Sequence, residues 1–144
     1  MPALKFSIIT VVFNNEKTIA DTVLSIAKQT YSNFEYLVID GLSTDGTLLR
    51  LQECSEVVTR VVSERDRGIY DAMNKGIAMA TGDIIGFINA DDFYPSADVL
   101  TTVAAAFEAS GADICYGDLC YVQQNDVSRI VRYWKSCVFK PGLF

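Results

Sequence analysis

"FSIITVVFNNEKTIADTVLSIAKQTYSNFEYLVID", Phe6 to Asp40, holds the pattern that decides the fold. It opens on an apolar, β-branched run, Phe6 to Phe13, that does not alternate and stops at the polar pair Asn14 and Asn15. A strand covered on both faces reads this way, because both sides of its pleat must then be apolar. Between Lys17 and Gln29, Ile19, Val23 and Ile26 recur at intervals of four and three, which is one stripe of a helix. A second strand, Phe34 to Ile39, follows and ends at Asp40. Strand, helix and strand in so short a span predict parallel strands joined by a right-handed crossover.

The pattern continues outward. "GLSTDGT" turns away from Asp40 and leads to a helix starting near Gly46. A third strand, Arg60 to Ser63, runs into "ERDRGIYDAMNKGIAMATG", where Ile69, Met73, Ile77 and Ala80 mark the buried stripe of a helix closed by Gly82. "GDIIGFINADDFYPS", Gly82 to Ser96, is a fourth strand that surfaces at two adjacent carboxylates, Asp91 and Asp92. Ser96 is placed to cap a helix whose Leu100, Val103 and Phe107 face the core, and "ADICYGDLCYVQQ" reads as one or two further strands around Gly117. No repeat, low-complexity tract or linker interrupts the chain, and 144 residues fit one domain.

Composition removes several classes of function. Half the residues are hydrophobic and 21% are charged, a globular profile. The longest apolar runs are too short to cross a bilayer, and the N-terminus lacks the features of a signal peptide, which predicts a cytoplasmic address. The 4 cysteines, Cys54, Cys115, Cys120 and Cys137, form no CxxC pair, and there is no histidine, so mixed Cys/His zinc sites and Ser-His or Cys-His nucleophiles are excluded. Carboxylates, lysines and tyrosines are left to carry any chemistry. A formal charge of -6 argues against a grip on nucleic acid, and an anionic ligand would need a metal.

In open α/β sheets ligands bind at the carboxyl ends of the strands, where strand order reverses. Asn14 and Asn15 follow the first strand, Asp40 the second, Glu64 and Asp66 the third, and Asp91 and Asp92 the fourth. Asp45 in "STDGT" reads as a helix cap. Asp71 and Lys75 lie four apart on a helix, and a solvated ion pair and a ligand role both remain open for them. Asp92 by itself would suit a turn ahead of Pro95, but two neighbouring carboxylates repel, and a divalent cation reverses that repulsion. The near-misses fail on specific residues: "GLSTDGT" lacks the lysine of a P-loop, and "VVFNNEKTI" lacks the glycines of a dinucleotide-binding turn.

"SIITVVFNNEKTI", "VIDGLSTDGT", "ERDRGIYDAMNKGIAMATGD" and "IGFINADD", in this order, resemble the successive motifs of the family 2 glycosyltransferases, and "GIYDAMNKGI" resembles the members that build bacterial polysaccharides and O-antigens. The resemblance implies a GT-A fold, a three-layer α/β/α sandwich with a mostly parallel, Rossmann-like sheet. It implies an inverting sugar transfer from a nucleoside-diphosphate sugar, with a UDP-sugar favoured, to a saccharide or lipid-linked saccharide acceptor, with no nucleic acid partner and at most peripheral membrane association. By the same resemblance Asp91 and Asp92 hold Mg²⁺ or Mn²⁺ against the donor diphosphate and Asp91 touches the ribose. Asp40 reads the base, Val11, Phe13 and Asn14 line the nucleoside pocket, and Asp71 and Asn74 flank the diphosphate. Asn89 and Met73 stand where many relatives carry an acid and an arginine. No match for the family's catalytic base occurs, so the base is expected beyond Phe144 and residues 1–144 are expected to be a donor-binding domain lacking the acceptor portion. The other readings are a nucleotide-sugar-binding domain without turnover and a metal-dependent phosphohydrolase.

Overall fold

The computed structural model describes residues 3–137. In chain order its elements are β1 (Phe6–Val12), α1 (Ile19–Ala27), β2 (Phe34–Asp40), α2 (Thr47–Glu53), a 3₁₀ turn (Ser55–Val57), β3 (Arg60–Ser63), α3 (Ile69–Met79), β4 (Ile84–Phe87), α4 (Val99–Ser110), β5 (Leu119–Gln123) and β6 (Asp126–Trp134). The chain divides into two compact units, residues 1–104 and residues 105–144. Among the described residues no helix is long and apolar enough to cross a membrane.

The first unit is built on a sheet of order β3-β2-β1-β4, with every neighbouring pair parallel. Phe6 stands opposite Phe34 on one side and Ile84 on the other. All seven residues of β1 are buried, which is why its sequence does not alternate. Phe6, Ile8 and Val12 point to a core shared with Ile19, Val23 and Ile26 of α1, Leu51 of α2, and Leu100 and Ala104 of α4. Ile9 and Val11 point the other way, to Leu37, Ile39 and Ala72 of α3. Helices on both faces of a parallel sheet make the expected three layers.

The stripe of α3 differs from the sequence reading. Ala72 and Gly76 are its buried residues, Met73 and Met79 pack beside them, and Ile69 and Ile77 are 50% and 43% exposed. The cause is a close approach: a β-carbon on Gly76 would lie 2.6 Å from Cγ2 of Ile9, so the helix rests on the sheet through its smallest residues. Gly82 does not close the helix either, since Ala80 leaves it in an extended conformation. Gly82 instead lies flat on the start of β1, where a β-carbon would meet the Lys5 carbonyl oxygen and the Ser7 nitrogen at 2.7 Å.

The same corner holds Glu35, buried at the start of β2. Its Oε1 accepts from Ser7 Oγ (2.5 Å), the Thr81 amide (2.6 Å) and the Thr81 hydroxyl (3.0 Å), and Lys5 Nζ lies 3.7 Å from its other oxygen. Burial alone would raise its pKa, but these donors together hold the carboxyl below its usual range.

Ser96 does not cap α4: its hydroxyl donates to Asp98 Oδ1 (2.5 Å), and the helix starts after Asp98, whose carbonyl accepts from the Thr102 amide (2.9 Å). Leu100 and Ala104 are its buried residues, with Val103 packed beside them, while Phe107 is half-buried.

In the second unit β5 and β6 form an antiparallel pair with register shifts at Tyr121/Val122 and Val122/Gln123. Of the stretch expected to hold one or two strands, the part after Gly117 is a strand, and β6 was not legible in the sequence. Asp118 ties the base of the hairpin, accepting from the Tyr133 hydroxyl and from the Ser136 amide (2.8 Å) and hydroxyl (2.7 Å). These bonds hold its pKa down to about 2.

Two outcomes test this packing. Gly82→Ala must push β1 and the α3–β4 turn apart, and it is expected to cost about 1–3 kcal/mol in urea unfolding, the range of an overpacked core. A carboxyl whose pKa is lowered by folding stabilises above its unfolded pKa and loses that contribution as pH falls through the folded one. The stability gap between wild type and Glu35→Gln is therefore expected to be widest at neutral pH and to close below the carboxylate range; a pH-independent gap would contradict the network.

Candidate functional site

The strand order reverses at β1. From β1 the chain moves through β2 to β3 on one side, and α3 then carries it back across to β4 on the other. Ligands in open α/β sheets bind outside the carboxyl ends of the strands where the order reverses, so the carboxyl ends of β1 and β4 flank the expected binding position.

The loops after β1 and β2 are joined into one surface. The Asn14 amide donates to Ser43 Oγ (2.8 Å), and Asn14 Oδ1 accepts from the Thr44 amide (2.8 Å). Asn14 has φ 50°, a left-handed conformation that asparagine tolerates better than most residues. The Asn15 amide donates to Thr47 Oγ1 (2.8 Å), and Glu16 Oε2 accepts from the Gly46 amide (2.7 Å). Asp45 is not the cap of α2, which is Gly46; it stands one residue earlier and accepts from the Thr47 hydroxyl (2.5 Å), the Thr47 amide (3.0 Å) and the Glu16 amide (3.2 Å), and these bonds keep its pKa low.

Asp40, at the end of β2, is fully buried. Its carboxylate accepts from Ser43 Oγ (2.5 Å), the Ser43 amide (3.1 Å) and Ser63 Oγ of β3 (2.6 Å). Beside this strand end Val11, Val12, Phe13, Asp66, Gly68, Ile69 and Ala72 line a cleft of about 250 Å³. Phe13 is 61% exposed, a ring left uncovered at the mouth of a polar loop. Asp66 Oδ1 accepts from the Gly68 amide (2.9 Å), while its Oδ2 would lie 2.5 Å from a β-carbon at Gly41, so any larger residue there would have to displace the Asp66 carboxylate. Sequence reasoning put Asp66 at a strand end without bringing it into the cleft with Val11 and Phe13.

Asp71, in the first turn of α3, accepts from the Arg67 amide (3.0 Å) and pairs with the Arg67 guanidinium (3.2 Å), and these contacts, the amide first, hold its pKa down. Lys75 is 3.9 Å from Asp71 but 3.0 Å from Glu64, and it also donates to the Arg65 carbonyl (2.8 Å). Lys75 thus ties the loop after β3 to α3 more than it neutralises Asp71. Asn74 is exposed on the same helix.

Asp91 and Asp92 are exposed beyond β4. The Asp92 amide donates to the Asn89 carbonyl (3.1 Å), and Asn89 Nδ2 donates to Asp92 Oδ2 (3.3 Å). Partial burial and then the neighbouring Asp91 push the Asp92 pKa up. The turn is fastened to α1: Thr22 Oγ1 donates to the Asp92 carbonyl (2.7 Å), and the single hydroxyl proton of Thr18 is shared between Asn15 Oδ1 (2.7 Å) and the Ala90 carbonyl (2.9 Å). These two threonines were missed at the level of sequence, although a signal existed. Thr18, Thr22, Ser25 and Gln29 recur at helical spacing beside the apolar stripe, as hydroxyls and an amide where a solvated face would carry charge.

Among the described residues no three Cys, Asp or Glu side chains gather around a common point. Two adjacent carboxylates, acceptor-only when ionised, fit a hard divalent cation that completes its shell with water and phosphate oxygens, the usual arrangement of Mg²⁺.

The profile of glycosyl transferase family 2 matches residues 7–141. The chain belongs to this family. A "PGL/p-HBAD biosynthesis glycosyltransferase" from Mycobacterium bovis is 39% identical over 163 aligned positions, covering 100% of this chain and 62% of that protein. The Escherichia coli "UDP-Glc:alpha-D-GlcNAc-diphosphoundecaprenol beta-1,3-glucosyltransferase WfgD" is 30% identical over 84% of this chain and 48% of its own length. Among solved structures, S. aureus TarS 1-349 in complex with UDP-GlcNAc superposes with a TM-score of 0.71 at 29% identity, over 76% of this chain and 33% of that one. The mannosyltransferase PcManGT from Pyrobaculum calidifontis, in complex with GDP-Man and Mn²⁺, gives 0.67 at 28%, over 87% and 37%. The family 2 chain therefore spans under two thirds of the length of these relatives, and its fold is GT-A.

An acid whose pKa rises on folding destabilises the fold while it is ionised and has no effect once both states are protonated. In metal-free buffer Asp92→Asn is accordingly expected to melt above wild type at neutral pH, and the difference should vanish as pH falls through the carboxylate range. A variant that melts below wild type at neutral pH would mean that the Asp92 charge is compensated within the fold.

Proposed function

We propose that this chain binds a nucleoside-diphosphate sugar, with a UDP-sugar favoured, and serves an inverting transfer of that sugar to a hydroxyl of a saccharide or lipid-linked saccharide acceptor in the synthesis of a cell-surface polysaccharide or glycolipid. The observation that carries this reading is the pair Asp91 and Asp92, held exposed at the end of β4 beside the reversal of strand order. The relatives' names support the chemistry, in particular UDP-Glc and a diphosphoundecaprenol-linked sugar in the name of the E. coli protein.

On this reading the cleft between Phe13, Val11, Asp66 and Ala72 takes the nucleoside, with the uncovered Phe13 ring as one wall. Asn14 shapes the mouth of that cleft by its left-handed turn. Asp40 acts on the base edge through the hydroxyls of Ser43 and Ser63, which its buried carboxylate orients. Asp71 and Asn74 flank the diphosphate from the first turns of α3. Asp91 and Asp92 hold Mg²⁺ or Mn²⁺, and the bound cation supplies Lewis-acid stabilisation of charge on the nucleoside-diphosphate leaving group. With a net charge of -6 the chain would otherwise repel a diphosphate. The donor half is then the first unit, residues 1–104, since the cleft and both carboxylates belong to it. Residues 1–144 act as a nucleotide-sugar-binding domain, and the acceptor portion with its catalytic base is separate from this half.

Thermal unfolding with UDP or GDP, with and without Mn²⁺, tests the proposal. A ligand at a hundredfold excess over its Kd stabilises the fold by about 2.7 kcal/mol. UDP is expected to stabilise the wild type only when Mn²⁺ is present, Asp92→Ala to lose that gain, and Asp45→Ala to keep it while melting lower without ligand. Stabilisation by UDP that persists in excess EDTA would overturn the assignment of the two carboxylates.

A further inference from the structure

The segment that carries the acidic pair runs along α1 and is fastened to it at alternate residues. Thr22 Oγ1 donates to the Asp92 carbonyl (2.7 Å) and Gln29 Nε2 to the Ser96 carbonyl (2.7 Å), Ser25 Oγ accepts from the Tyr94 amide (3.1 Å), and the Thr18 hydroxyl is shared between the Ala90 carbonyl (2.9 Å) and Asn15 Oδ1 (2.7 Å). Gln29 Oε1 also accepts from the Leu100 amide (3.0 Å) at the start of α4. Thr22 and Ser25 lie on α1, with Thr18 and Gln29 just beyond its two ends, and the partner groups come from alternate residues of the turn at Ala90–Asp91 and the segment that follows it. One row of side chains thus sets the register of the whole segment by its backbone.

Thr22 is the centre of this row and is fully buried. A helical threonine commonly returns its hydroxyl to a carbonyl of the preceding turn, and here the donor reaches across to another element instead. The bond goes to the main chain of Asp92 and does not engage its carboxylate, whose Oδ2 accepts from Asn89 Nδ2 (3.3 Å). That distinction matters chemically. A lysine or arginine could hold this turn just as firmly, but its charge would compete with a cation for the same oxygens. A neutral hydroxyl on the carbonyl fixes where the carboxylates start and takes nothing from them.

We propose that Thr22, seconded by Thr18, is a positioning residue that sets the orientation of the Asp91–Asp92 pair for its divalent cation. The inference rests on the assignment of that pair given above. Partners that orient metal ligands are typically worth about 10–100-fold in metal affinity. The roughly isosteric Thr22→Val removes the hydroxyl, Thr22→Ser keeps it, and Thr18→Val probes the neighbouring tether at a half-exposed position.

The measurement is Mn²⁺ binding in the presence of UDP, read from the paramagnetic resonance signal of free Mn²⁺, with circular dichroism as a check on folding. Thr22→Val is expected to weaken Mn²⁺ binding roughly tenfold, with Thr22→Ser close to wild type. Should Thr22→Val fail to fold, Thr18→Val is expected to show the same direction of change. Mn²⁺ binding unchanged in the folded valine variants would overturn the positioning role and leave the metal assignment standing. Equal loss in Thr22→Ser and Thr22→Val would also overturn it, since the serine retains the donor. Absence of Mn²⁺ binding in wild type would remove the metal assignment itself, and the inference with it.

Discussion

β1 is paired on both edges and covered on both faces, and this enclosure governs the rest of the first unit. A strand in that position leaves no backbone group to water and admits polar side chains only where they find partners. Thr10 accepts from the Tyr36 hydroxyl (2.9 Å) and Ser7 donates to Glu35 (2.5 Å), so both of its hydroxyls are engaged. Ser7 also accepts from the Gly82 amide (2.8 Å), which binds the amino end of β1 to the turn feeding β4. The carboxyl end is where enclosure stops. The loops that follow β1 and β4 there must be held by side chains because no further strand is present to hold them.

The acids of the first unit divide accordingly. Glu35 and Asp40 are buried, and Asp45 and Asp71 lie at the starts of helices. Each of these accepts hydrogen bonds from backbone amides and from hydroxyl or guanidinium groups close by. They organise the turns between strands and helices. Asp91 and Asp92 are different, because they are exposed, adjacent and mutually repulsive, and the fold grips their carbonyl side through α1. Stability would favour a single acid or a paired cation at this turn. Retaining two acids there is understandable if an ion from outside completes the charge balance.

Close approaches permitted by glycine serve both ends of the sheet. Gly82 lets the α3–β4 turn lie on β1, Gly76 lets α3 settle onto Ile9, and Gly41 makes room for Asp66 and Phe13 at the mouth of the cleft. The family 2 relatives solved with UDP-GlcNAc and with GDP-Man share this half of the fold.

Local pattern was enough for the sequence to determine the β-α alternation, the burial of β1, the helix over Ile19, Val23 and Ile26, the polar turn at Asp45 ahead of α2 and the cluster of acids at strand ends. Each of these depends on neighbours within one or two turns of chain. The family motifs were legible for the same reason, being short runs such as "VIDGLSTDGT" and "IGFINADD". The stripe of α3 was misread because hydrophobicity counts favour Ile69 and Ile77, whereas the distance between helix and sheet selected Ala72 and Gly76. Gly82 read as a helix stop because the spacing fits one, and its true constraint is a strand 75 positions away. Asp66 entered the cleft beside Val11 and Phe13, and Thr18 and Thr22 met the carbonyls of Ala90 and Asp92, only through contacts between segments far apart in the chain. Contacts of that range leave little trace in local composition, since a hydroxyl that donates across a fold looks the same in sequence as one that donates to water.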